Sequence, residues 1–257
     1  MNTITDDFFV AAYETGAERT PVPTWASKIE NPLKLEAAQD KEVKRVEVES
    51  VPGAFQLLNV LSLDECERFI NATEALEYTQ DASVSLPRNV RHNENLVWVV
   101  DNTTHDLIWE RCKAFMQDNK SIFNGKKPLG LNRRFRFYKY SEGDFFKPHT
   151  DGAWPGSSVV NKKLIQNAYP DRLSQMTFLI LLSEDFEGGE TAFYVNKNDP
   201  QKPAKRTEDV KVVEVKTPMG GVLCFPHGAH PMHCLHGSRE IRSSIKYIIR
   251  TDVLFEL

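Results

Sequence analysis

Cysteine is scarce in this chain: four residues in 257 (Cys66, Cys112, Cys224, Cys234), with no CxxC pair. That excludes a small fold stapled by disulfides and reads as free thiols of a reducing compartment. Long apolar runs are missing too. None approaches the roughly 18 residues a membrane span needs, so no membrane partner is expected. The start, MNTITDDFFVAAYETG, has no basic segment and no long apolar stretch, which argues against a secretory signal. The expected location is therefore intracellular and cytoplasmic. An excess of positive charge is absent: 32 basic against 36 acidic residues give −4, so nucleic acid is not the expected partner. There is no G-x-G-x-x-G, no P-loop, no Ser/His/Asp or Cys nucleophile pattern, no internal repeat and no low-complexity tract. What is present is ordinary globular usage, 40% hydrophobic and 26% charged, which rules out disorder of the whole chain. Histidine breaks the ordinariness. Of seven, four fall within ten residues: His227, His230, His233 and His236.

Residues 1–50 mix Pro21, Pro23 and Pro32 with charged stretches and show no sustained period, so they read as a leader. Phe8, Phe9 and Trp25 are its candidates for packing onto a single domain over 51–257. Residues 54–61 (AFQLLNVL) form a short strand candidate. Ser62 and Glu65 then match a capping box, with a helix predicted to about Leu76. LVWVV (96–100) reads as a strand, and 101–104 offer caps for a second helix carrying Leu107, Ile108, Cys112 and Phe115 on one face. From 133 the period changes to two. RRFRFYKY sets Phe135, Phe137 and Lys139 against Arg134, Arg136, Tyr138 and Tyr140. MTFLILL (176–182), TAFYV (191–195), VKVVEV (210–215), GVLCF (221–225) and IKYIIRTDVLF (245–255) continue a run of short strands. The pattern predicts an α+β fold: a sandwich or jelly-roll core with N-terminal helices packed against it. Two polar stretches without period, 152–174 and 196–209, read as long loops, the first covering a substrate and the second a solvated excursion.

His149 and Asp151 stand two apart in KPHTD. On a strand or strand end, such positions share a side, so an imidazole and a carboxylate reach one cation. A third ligand from a later strand would complete a 2-His-1-carboxylate face, the arrangement that suits non-haem Fe(II). The cluster HGAHPMHCLH admits other readings. With Cys224 and Cys234 it has donors for a zinc site, or its members are surface histidines in a loop.

Three stretches carry a resemblance: RFRFYKYSEGDFFKPHTDG, MTFLILLSEDFEGGETAF and GGVLCFPHGAHPMHCLHGSREIRSSIKYIIRTDV. In that order they resemble the Fe(II)/2-oxoglutarate-dependent dioxygenases of the prolyl 4-hydroxylase-like family, over a core of about 133–255. DECERFI also resembles the family's opening, less specifically. The resemblance implies a double-stranded β-helix (jelly-roll, cupin-like), an oxidoreductase, and Fe(II), 2-oxoglutarate, dioxygen and ascorbate as cofactors. The family places a basic residue ten positions after its distal metal histidine. Lys246 stands ten after His236, whereas ten before Arg250 is Glu240 and ten after His233 is Ser243. The resemblance thus implies a metal triad of His149, Asp151 and His236, with Lys246 pairing the remote carboxylate of 2-oxoglutarate. Tyr140 and Thr191 match family residues that contact the same cosubstrate. Arg250 is expected in an ion pair with Asp252 or Glu190, or at the ligand. The chain departs from the family in Gly237-Ser238 after His236, and in Ser244 where the family has glycine.

The implied reaction hydroxylates an unactivated C–H bond and releases succinate and CO2. The substrate expected is a prolyl residue in a peptide or protein. The alternatives are a free amino acid or other small molecule, and a non-catalytic jelly-roll that binds a metal or ligand. Candidate substrate residues are Arg91 and Asn93 in the Arg/Asn cluster 88–93, Arg136 and Tyr138 on the aromatic strand, and Trp154 after the HxD segment.

Overall fold

The alternation of residues 134–140 becomes a partition in the computed structural model, which describes residues 4–16, 18–83, 86–117 and 123–257. The first part of the chain contains β1 (Phe8–Thr15), β2 (Pro21–Ser27), β3 (Lys44–Glu47), β4 (Phe55–Leu58), α1 (Leu63–Ala75), β5 (Arg91–His92), β6 (Glu94–Val99) and α2 (Asn102–Gln117). The middle adds β7 (Pro128–Leu131), β8 (Arg134–Tyr140), β9 (Phe145–His149), β10 (Pro155–Val160) and β11 (Lys163–Leu181). The last part supplies β12 (Glu187–Gly188), β13 (Thr191–Asn196), β14 (Val210–Val215), β15 (Val222–Pro226), β16 (His236–Ser238), β17 (Ile241–Ser243) and β18 (Lys246–Glu256).

The large sheet runs β1-β2-β6-β8-β18-β11-β15-β4-β3, and a smaller one runs β14-β13-β16-β9-β5. One face of the large sheet carries Phe135, Phe137, Phe178 and Ile249 into a core shared with Phe69 of α1 and with Ile108 and Cys112 of α2. The opposite face carries Tyr138, Tyr140, Leu179, Leu181 and Ile248 toward Phe193 of the small sheet. Two facing sheets with helices on the outside of one make a double-stranded β-helix, as expected. Period two does the sorting: neighbours on β8 go to opposite layers, one apolar and sealed, the other lining a cavity.

The helices are fixed by local chemistry. Ser62 accepts from the Glu65 amide at 3.2 Å, and Glu65 accepts from the Ser62 amide at 2.9 Å, closing the capping box. Glu65 also pairs with Arg111 at 2.7 Å, which ties α1 to α2 in a buried contact.

Two stretches differ from the sequence reading. Residues 152–174 are no loop: Pro155–Val160 and Lys163–Leu181 form a hairpin, turned at Asn161 and Lys162 with φ 51° and 62°. Its outer strand portion is polar and half exposed, so no apolar alternation marks it. Residues 8–15 and 21–27, within the stretch read as a leader, form strands of the large sheet. The second pairs in parallel with β6 through Thr24, Trp25 and Ala26. Pro21 and Pro23 precede that ladder, which is why they do not break it. Phe8 packs edge-on against Trp98 at 4.9 Å, and Trp25 lies against the same core. The segment 196–209 is the solvated excursion expected. All four cysteines are free. Among the described residues no helix is long and apolar enough to cross a membrane.

Candidate active site

β9 ends at His149, and Asp151 follows two residues on. His236 opens β16 and is the antiparallel partner of His149. The ligand atoms of His149, Asp151 and His236 all lie within 4.8 Å of one another, so the three could hold a metal ion. Each histidine Nε2 stands 3.7 Å from an Asp151 oxygen, one on Oδ1 and the other on Oδ2. The opposite ring nitrogens are committed. His149 Nδ1 donates to the Lys147 carbonyl at 2.8 Å, and His236 Nδ1 donates to the Cys234 carbonyl at 3.0 Å. Those bonds put the proton on Nδ1 and leave the Nε2 lone pair facing the carboxylate, the tautomer a metal requires. Thr177 donates to Asp151 Oδ2 at 2.7 Å and holds its plane. Phe146 stacks on His149 at 3.5 Å and fixes the ring.

The electrostatics agree. Burial, and then the neighbouring His236, push His149 down to about 4. Burial likewise lowers His236. Burial would raise Asp151, but Arg250, His236 and His149 overcome it and keep the carboxyl far below its usual range. At neutral pH the three groups are two neutral imidazoles and one carboxylate, a donor set suited to a divalent transition metal.

These residues sit on a cavity of about 240 Å³. At one end, Lys246 is 2% exposed, donating to the Gly189 carbonyl at 2.5 Å and to Ser238 Oγ at 3.2 Å. Among the described residues no carboxylate stands within ion-pair distance of it. Burial pulls Lys246 down to about 8. A buried lysine with only neutral acceptors fits an incoming carboxylate. Tyr140 is its cross-strand partner, and Thr191 lines the same end. Ser238, a departure from the family pattern, thus supplies an acceptor for the lysine. Ser244 takes a left-handed φ of 64°, a conformation that glycine adopts freely.

At the other end stand Arg136 and Arg250, while Arg91 lies over the Tyr138 and Phe146 rings at 5.5 Å from each. Arg250 pairs with Asp252 at 2.8 Å and with Asp151 at 3.5 Å. Arg136 lies 4.7 Å from the Trp154 ring. Arg91, Tyr138 and Trp154 line the cavity, but Asn93 does not. The polar Arg/Asn cluster 88–93 is the ground for reading Asn93 as a substrate residue. In the structure the chain changes sheets there: Arg91 pairs with Phe146 in the small sheet, and Glu94 with Lys139 in the large one. Asn93 is buried at the crossing.

The histidine strip resolves into separate roles. His227 is buried 3.6 Å from Asp252, His230 packs on Phe123 at 4.8 Å, and His233 is exposed. Two of the three are therefore not surface residues. Among the described residues, the one gathered group of metal-binding side chains is His149, Asp151 and His236, so the strip holds no zinc-type cluster. Sequence reasoning missed Thr177, Phe146 and Ser238. A lone hydroxyl inside the apolar run MTFLILL was the available signal for Thr177.

No protein-family model matches the chain, and no curated protein matches it in sequence. Solved structures do. A prolyl hydroxylase from Trichoplax adhaerens, in complex with a hypoxia inducible factor oxygen degradation domain peptide fragment, is similar with a TM-score of 0.53 and 15% identity, over 79% of this chain and 84% of that one. The viral collagen prolyl hydroxylase of Paramecium Bursaria Chlorella virus-1, as its 2OG complex, gives 0.47 and 17% identity, over 85% and 98%. A Pseudomonas putida prolyl-4-hydroxylase gives 0.48 and 15% identity, over 80% and 93%. The likeness to the Trichoplax enzyme is one of fold: the double-stranded β-helix is common to both.

Proposed function

We propose that the protein is a non-haem Fe(II)- and 2-oxoglutarate-dependent dioxygenase that hydroxylates an unactivated C–H bond. One observation carries the reading. Two imidazoles with their Nε2 atoms turned on Asp151 share a cavity with Lys246, a buried cation with no carboxylate at ion-pair distance among the described residues. His149, Asp151 and His236 would hold the metal. Lys246, with Tyr140 and Thr191 beside it, would hold the remote carboxylate of the cosubstrate. With both bound, the metal and cosubstrate would supply the oxidising chemistry, in which dioxygen would convert 2-oxoglutarate to succinate and CO2 and give one oxygen atom to the C–H bond. The chain's own residues position and shield. Thr177 keeps Asp151 oriented, Phe146 keeps His149 from turning, and Leu179, Phe225 and Ile248 exclude water from the cavity. No side chain is needed as general base.

The first substrate reading is a prolyl residue in a peptide or protein. The peptide held by the Trichoplax neighbour supports it. The second is a free amino acid or other small molecule, favoured by a cavity of only about 240 Å³ walled by arginines. Succinate release from 2-oxoglutarate by the Fe(II)-loaded protein tests the reaction class, with His149→Ala as control. Equal succinate from both proteins would overturn it.

A further inference from the structure

Arg136 is a buried cation for which the reaction above has no task. It is 3% exposed, it lines the cavity, and none of its three guanidinium nitrogens makes a hydrogen bond among the described residues. Its ion-pair partner Asp252 is 3.5 Å away and already engaged by Arg250 at 2.8 Å and His227 at 3.6 Å. The guanidinium carbon lies over the Trp154 ring at 4.7 Å, a contact that takes up none of its N–H groups, which project in the guanidinium plane.

Register sets the cosubstrate's anchor apart from this arginine. Toward the cavity β8 and β18 present three rungs: Lys246 with Tyr140, Ile248 with Tyr138, and Arg250 with Arg136. Four residues at about 3.3 Å each separate the lysine rung from the arginine rung by roughly 13 Å. The two carboxylates of 2-oxoglutarate are joined by four C–C bonds of about 1.5 Å, which span roughly 6 Å at most. An anion held at Lys246 leaves Arg136 unserved. The charge balance points the same way. Arg91, Arg136, Lys246 and Arg250 line the cavity, and Asp151 is the one carboxylate among the lining residues. A divalent metal and the two carboxylates of 2-oxoglutarate cancel each other, and with Asp252 behind the arginines an excess of positive charge still remains.

We propose that Arg136 receives a carboxylate carried by the substrate itself, so that the substrate is a small carboxylic acid or the C-terminal residue of a peptide. The planar fork of an arginine takes a carboxylate through two parallel N–H···O bonds. Tyr138 and Ile248 on the middle rung, with Leu179 beside Arg250, receive the carbon skeleton. The fate of that substrate rests on the dioxygenase reading; its binding does not.

Calorimetry on the full chain loaded with Mn(II) and 2-oxoglutarate tests this. The probes are the common L-amino acids and their N-acetyl derivatives, each as the acid and as the amide. At least one acid should bind ten or more times more tightly than its amide. Preference confined to free amino acids identifies a free metabolite; preference among the N-acetyl acids identifies a chain terminus. Arg136→Gln should abolish the difference, and Arg136→Lys, which keeps the charge but not the fork, should retain part of it. If Arg136→Gln does not fold, the wild-type comparison and Arg136→Lys decide. No acid preferred over its amide, or a preference that survives in Arg136→Gln or is undiminished in Arg136→Lys, overturns the proposal. Succinate formation separates the two readings. Acid preference without succinate upholds the arginine site and removes the dioxygenase; succinate without acid preference does the reverse.

Discussion

His236 is the cross-strand partner of His149, with ring centroids 4.3 Å apart, although 87 residues (236 − 149) separate them in the chain. The pairing of β16 with β9 is what turns two distant imidazoles toward one carboxylate. Gly237 permits it. A Cβ there would lie 2.7 Å from the Phe146 carbonyl oxygen and 3.2 Å from the Pro148 nitrogen, both backbone atoms that cannot swing aside.

Gly237→Ala should therefore force β16 away from β9. The expected cost is about 2 kcal/mol of stability, with at least a tenfold loss of metal affinity. Urea unfolding and Mn(II) titration measure the two. Unchanged metal affinity would show that the close approach does not set the ligand spacing.

Asp151→Asn keeps the shape and removes the charge. It should lower divalent-metal affinity at least a hundredfold while the protein stays folded, and His149→Ala should do likewise. Equilibrium dialysis with Fe(II) or Mn(II) under nitrogen reads both. Full retention of metal in either variant would place the ion elsewhere.

Lys246 gives a pH signature whose sign can be worked out. Burial lowers its folded value to about 8, below the unfolded value of about 10.4. Between those values the unfolded chain holds more protons, so the unfolding free energy rises with pH across that window and is flat on either side from this group. The rise is on the order of 3 kcal/mol. Lys246→Met should abolish the slope and weaken 2-oxoglutarate binding more than tenfold. In the native protein, 2-oxoglutarate affinity should fall as pH passes 8, with proton uptake seen by calorimetry in buffers of different ionisation enthalpy. Binding unaffected by either change would remove the lysine from the cosubstrate.

Phe8→Ala tests whether the N-terminal strands belong to the core. Phe8 is 3% exposed against Trp98, so the substitution should cost about 3 kcal/mol. A cost well under 1 kcal/mol in chemical denaturation would mark the segment as detachable.

Much of the fold was legible because its strands have one apolar face. RFRFYKY and IKYIIRTDVLF announce themselves by alternation, and Ser62 with Glu65 announces a helix start. The hairpin portion 155–174 was not legible, since polar strands with both faces partly wet leave no period. β1 and β2 were hidden by Pro21 and Pro23, which are harmless because the parallel ladder begins at Thr24. A polar cluster does not tell which of its members faces a cavity: the chain changes sheets after Arg91, which lines the cavity while Asn93 is buried at the crossing.

The sequence by itself determined the donor types and their local order: an imidazole and a carboxylate two apart on a strand end, a later histidine ten residues before a lysine, and arginines alternating with phenylalanines. Local periodicity is enough for that. Only the tertiary structure decided which histidine of the strip faces the carboxylate, which nitrogen carries the proton, and that Lys246 and Arg136 stand at opposite ends of one cavity. Those facts depend on register between strands far apart in the chain, and register is settled by packing across two sheets rather than by neighbours in sequence.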